Sequence, residues 1–139
     1  MKNGSSRRDF LKQSGPALGG SWLLLKYPAI MATASAAAAA HASQANWANL
    51  DAEEAITLGA VADQVFPPDE QPGAEEIGAV YFIDAAAGGF MASALPLIKG
   101  GCQELDQASM GQYGQSFAQL VFGQQTAVLK DMEDSPFFG

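Results

Sequence analysis

Histidine and cysteine each occur once in the 139 residues, and beyond position 26 the only positively charged side chains are Lys99 and Lys130. Each scarcity removes a class of chemistry. A lone Cys102 excludes an internal disulfide, a Cys-x-x-Cys redox pair, a thiolate zinc site and a Cys-x-x-Cys-His haem attachment. The lone His41 lies in a stretch read below as a removable targeting segment, so nucleophilic catalysis that needs an imidazole goes with it. Neither Gly-x-Gly-x-x-Gly nor a Walker pattern occurs, so no phosphate-cradling loop is offered. From Ser43 onward 14 acidic side chains stand against 2 basic ones, a net −12. Such a surface cannot track a phosphate backbone, which needs clustered Lys and Arg, and nucleic acid is set aside as a partner.

The positive charge that does exist is placed at one end. Five of the seven basic residues (Lys2, Arg7, Arg8, Lys12, Lys26) fall in the first 26 positions. Ser6-Arg7-Arg8-Asp9-Phe10-Leu11-Lys12 fits the twin-arginine (Tat) export pattern at every position, with Ser6, Arg7, Arg8, Phe10, Leu11 and Lys12 as its signal residues. An apolar stretch of 12 residues follows, Ser14 to Leu25, short of the roughly 20 that a spanning helix needs. Lys26 and Pro28 are expected to break any longer helix. An alanine tract then ends in Ala40-His41-Ala42, a small-x-small site that makes Ser43 the first mature residue. Residues 1–42 therefore read as a cleavable Tat signal, with a retained Tat anchor and an ordinary helix as the other readings. Export to the periplasm is the expectation. The pathway carries folded proteins, often with a cofactor already loaded. Since no cofactor motif occurs here, any such cofactor is expected in a partner.

Residues 43–139 read as one small all-α domain, a bundle of about four helices. After a polar lead-in over 43–49, Asp51 and Glu54 have the spacing of a capping box, and Ile56, Leu58, Val61, Ala62, Val65 and Phe66 predict an apolar helix face. Pro67-Pro68 ends that helix. A second helix is predicted over 74–87, buried on more than one side and stopped by Gly88-Gly89. A third is predicted over 93–107, with Pro96 in its first turn. Gly100-Gly101 in its middle costs about 1 kcal/mol each relative to Ala, which points to a kink or a close helix crossing. Residues 109–119 then read as a connection carrying Tyr113 and Phe117, before a last helix over 124–133. No stretch alternates as a strand does. The core is thin, and the Phe137-Phe138 tail is expected to be docked, or the chain shortened.

The carboxylate pairs (Glu53/Glu54, Asp69/Glu70, Glu75/Glu76, Asp131/Glu133/Asp134) lack EF-hand spacing and sit where helix-end electrostatics already accounts for them. No catalytic, cofactor-binding or metal-ligating residue is assigned. Cys102 reads as a buried small side chain, with a bridge to a partner chain as the alternative.

The order of motifs resembles one family. After the Tat signal and Tyr27-Pro28-Ala29-Ile30 come Glu54-Ala55-x-x-Leu58-x-x-Val61-Ala62-Asp63-x-Val65-x-Pro67-Pro68-Asp69-x-x-Pro72-Gly73-Ala74 and Gly78-x-Val80-x-Phe82-Ile83-Asp84. Leu105-Asp106, Phe117-x-x-Leu120 and Gln125-x-x-x-Leu129 follow more loosely. The chain is similar to the gluconate 2-dehydrogenase subunit 3 family, the small subunits of bacterial FAD-dependent sugar and sugar-acid dehydrogenases. That resemblance implies a non-catalytic subunit partnered by a large flavoprotein of the glucose–methanol–choline type and by a cytochrome c subunit at the membrane. FAD and haem c would then belong to the partners, and the Tat translocase would carry the folded pair. Cys102, Phe137 and Phe138 are the residues expected to touch a partner. A free-standing exported helical binding protein is the second class.

Overall fold

A computed structural model describes residues 20–135, with side-chain surroundings from Leu24 onward. The twin-arginine residues Ser6, Arg7, Arg8, Phe10, Leu11 and Lys12, and the tail residues Phe137 and Phe138, lie outside the described residues. Within them the protein is all helical: α1 (Gly20–Ser43), α2 (Ala52–Val65), α3 (Ala79–Ala87), α4 (Leu95–Tyr113) and α5 (Phe122–Glu133). Short 3-10 turns at Ala92–Ala94 and Phe117–Gln119 precede the last two. Among the described residues there is no strand, as the sequence led us to expect.

α1 departs from expectation. It runs 24 residues through Lys26 and Pro28 without a break. Proline forfeits one backbone hydrogen bond, whereas the alanines that follow have the strongest helix preference of any residue. The second half of α1 also gains a packing surface, because it lies along α3 and buries Ala37 there. The polar lead-in is likewise more than a lead-in. Asp84 of α3 is buried, and its carboxylate accepts the backbone N–H groups of Ala48 (2.8 Å), Asn49 (2.8 Å) and Leu50 (2.9 Å). Asn49 returns its side-chain amide to the Asp84 carbonyl at 2.8 Å. Four hydrogen bonds thus fix the stretch that joins α1 to α2, and charge-assisted ones are the stronger kind.

α2 starts where its cap dictates. The Asp51 carboxylate accepts the Glu54 N–H at 2.7 Å while the Glu54 carboxylate accepts the Asp51 N–H at 2.9 Å, a complete capping box. Its inward face is narrower than predicted: Ala55, Thr57 and Gly59 are buried and Leu58 and Val61 half-buried, but Ile56, Val65 and Phe66 are exposed. α3 is shorter than the predicted 74–87 because Gly78 adopts φ 91 and turns the chain just before it. α4 is longer than the predicted 93–107. The Ser109 hydroxyl is buried against the Leu105 carbonyl at 2.8 Å, and the helix stops only at Gly114, left-handed at φ 71. The expected connection over 109–119 is therefore helical to Tyr113. No close crossing occurs at Gly100-Gly101, since a Cβ built at either would meet nothing within 4 Å.

Two small apolar clusters make the core. Leu50, Ala55 and Val80 join α2 to α3, with Trp47 packed against them. Leu105, Phe117, Leu120 and Val128 join α4 to α5, with Val61, Leu129 and Met132 at the edge. Phe117, expected in a connection, is 0% exposed and is the largest fully buried side chain.

Candidate functional site

α2, α4 and α5 do not close on one another. Between them lies a groove of about 420 Å³, floored by Leu105 and walled by Leu58 and Val61 of α2, Ile98 of α4, and Leu129 and Met132 of α5. Gly101 contributes no side chain to it, so the groove stays open along α4. Leu97 stands at its rim, 77% exposed. Glu133 is its one charged neighbour. A pocket this apolar offers burial and nothing to polarise a bond, so it suits an apolar group of another molecule.

A polar frame holds the three helices at this spacing. The Asp106 carboxylate takes the Phe117 N–H at 3.0 Å and the Thr57 hydroxyl at 3.2 Å, tying α4 to the 3-10 turn and to α2. Gln64 of α2 donates its amide to the Gln125 side-chain oxygen at 3.0 Å and accepts the Thr126 hydroxyl at 2.9 Å. Gln125 in turn donates to the Phe117 carbonyl at 3.0 Å. Among the described residues no buried side-chain nitrogen or oxygen lacks a partner. The groove walls are therefore set before any ligand arrives, which lowers the ordering cost of binding.

Cys102 forms part of the groove wall and is 6% exposed. Burial pushes its thiol up to about 11, and the carboxylates of Glu54, Asp106 and Asp51 add to the rise against the opposing Lys99 charge. A thiol so held is protonated at neutral pH and a poor nucleophile. Lys99 pairs with Glu54 at 2.7 Å, and that hydrogen bond holds its ammonium above the usual range. Lying at the surface, the pair adds little to stability.

A second hollow, of about 500 Å³, opens where α1, α2 and α3 meet, among His41, Trp47, Tyr81, Asp63, Glu75 and Glu76. The Glu75 carboxyl packs over Gly59, where a Cβ would approach it to 2.8 Å. Burial first, and then the Asp63 charge, raise its pKa. The His41 ring faces Tyr81 at 5.4 Å, and a Cβ on Gly78 would meet it at 2.7 Å. Among the described residues no three His, Cys, Asp or Glu side chains gather as metal ligands.

Nothing in the sequence marked the groove. Leu58 and Val61 read as ordinary inward positions, and only Gly101 and the exposed Leu97 hint that the seam between their helices is left open. Of the residues expected to meet a partner, Cys102 lies in the groove wall.

The fold and the groove define a small helical protein with an open apolar seam. Residues 52–137, more than half of the sequence, match the family model described as Gluconate 2-dehydrogenase subunit 3, and the protein belongs to that family. By that name it is a subunit of a multi-subunit dehydrogenase complex. The matched span takes in α2 to α5 and leaves α1 outside. No curated protein and no solved structure matches the chain.

Proposed function

We propose that this chain is the non-catalytic small subunit of a FAD-dependent dehydrogenase complex of the gluconate 2-dehydrogenase type. It holds a flavoprotein subunit through the α2–α4–α5 groove, stabilises it, and takes the folded pair through the Tat translocase to the periplasm. The observation that carries this reading is the uncovered apolar groove in a chain of this family. Leu97 at its rim is left in solvent, 77% exposed. Exposed apolar surface on a small domain marks where another protein sits.

The cofactors belong elsewhere in the complex. FAD needs a glycine-rich strand-to-helix loop, and among the described residues the helix that opens at a left-handed glycine, α3 at Gly78, has the His41 ring against that turn. Haem c needs a Cys-x-x-Cys-His run, and Cys102 is alone and buried. FAD is assigned to the flavoprotein and haem c to a cytochrome c subunit that keeps the complex at the membrane. No step of the oxidation is routed through this chain.

The test is export of the partner. With Arg7→Lys and Arg8→Lys together, the flavoprotein co-expressed with this chain is expected to stay in the cytoplasm, because Lys lacks the planar guanidinium fork. Normal appearance of the flavoprotein in the periplasm with the double variant would contradict the escort role.

A further inference from the structure

The Ala40-His41-Ala42 site has the sequence of a cleavage site but not the shape of one. Proteases bind the chain extended, and this stretch is the last turn of α1. The Ala40 carbonyl accepts the Ala45 N–H at 2.9 Å, and the His41 carbonyl accepts the Gln44 side-chain amide at 2.8 Å. The Ser43 hydroxyl bonds the carbonyls of Ala39 (3.1 Å) and Ala40 (3.2 Å). A helix end alone would fray at little cost. This one is held on both sides. Upstream, Ala37 is 5% exposed against α3, and the His41 ring is seated on Gly78 beside Tyr81. Downstream, the Asp84 carboxylate grips the N–H groups of Ala48, Asn49 and Leu50. Helix rises about 1.5 Å per residue and extended chain about 3.3 Å, so stretching residues 40–43 between two fixed points forces one of them to let go.

We infer that the Ala42–Ser43 bond stays uncut in the folded protein and that the second half of α1 is a permanent part of the domain. This rests on the export reading only in taking residues 1–42 as a targeting segment. The α1–α3 seam then does two jobs, covering the Ala79 and Phe82 side of α3 and shielding the bond from the peptidase.

The experiment treats the folded, purified full-length chain with signal peptidase in detergent micelles and follows the products by intact mass. It needs no export, so its outcome is separate from that of the escort test. The expected result is no cut after Ala42 in the wild-type chain or in Ser35→Asp, whose position on α1 is exposed. Ala37→Asp, which puts a charge into the seam, is expected to be cut roughly tenfold faster or more, because proteolysis follows the population of the opened form. Cutting of the wild-type chain after Ala42 as fast as that of Ala37→Asp would overturn the inference. Should Ala37→Asp give no cooperative melt, the N-terminus of the wild-type chain recovered from cells decides. A start upstream of Ala37 supports retention, and a start at Ser43 overturns it.

Discussion

The two ends of this small bundle are held together by different physics. Around α1 and α3 position is fixed by the Asp84 clasp on residues 48–50 and by packed rings, His41 and Trp47 against Tyr81. Around α2, α4 and α5 large apolar side chains meet, but they close only on the Phe117 side and leave the groove open on the other. A region tied by directed hydrogen bonds gains precision with little apolar burial. One built on apolar clusters gains stability and can leave part of its surface for a partner. On the proposed reading, the first is the scaffold and the second the binding face.

Substitutions can break this comparison at either end. The largest effect is expected from Phe117→Ala, which removes the fully buried ring that joins the 3-10 turn to α4 and α5. A loss of about 3–5 kcal/mol in denaturant unfolding is expected, since large-to-small changes leave a cavity as well as losing burial. Such a loss would be most of a marginal domain's stability. Asp84→Asn should cost about 2–3 kcal/mol in the same measurement, because an amide NH2 would then face a backbone N–H donor. An equal cost for the two would place as much of the stability in the clasp as in the cluster. Gly100→Ala is the smallest and has the opposite sign. With open space around the new Cβ, a gain of about 0.5–1 kcal/mol is expected from the helix preference alone.

Much of the fold could be read from local chemistry. The Asp51–Glu54 box set the start of α2, Pro67-Pro68 its end, and Pro96 the first turn of α4. What could not be read depended on contacts distant in sequence. Pro28 looked like a breaker because its cost is local, whereas the α3 surface that α1 packs on lies about fifty residues away. Phe117 looked like a loop residue among glycines and glutamines, because its partners Leu105 and Val128 come from two other elements. Residues 109–119 read as a connection, whereas the helix runs on to Tyr113 with the buried Ser109 hydroxyl on the Leu105 carbonyl and stops at Gly114. The groove was the least legible feature, since a seam left open between helices has no residue pattern of its own.

The central claim is that the open side of the apolar half is where the flavoprotein docks. The most direct test is the affinity of the full-length chain for its co-expressed flavoprotein subunit, compared between Leu97→Ser at the groove rim and Val121→Ser away from it. Both residues are exposed, at 77% and 65%; Leu97→Ser should leave the melting of the chain alone nearly unchanged, and Val121→Ser, at the uncapped start of α5, should leave or slightly raise it. The account predicts that Leu97→Ser weakens the complex by roughly tenfold or more, as losing an apolar side chain buried by the partner does, and that Val121→Ser binds as the unaltered chain does. Undiminished binding by Leu97→Ser, or an equal loss from Val121→Ser, would contradict it.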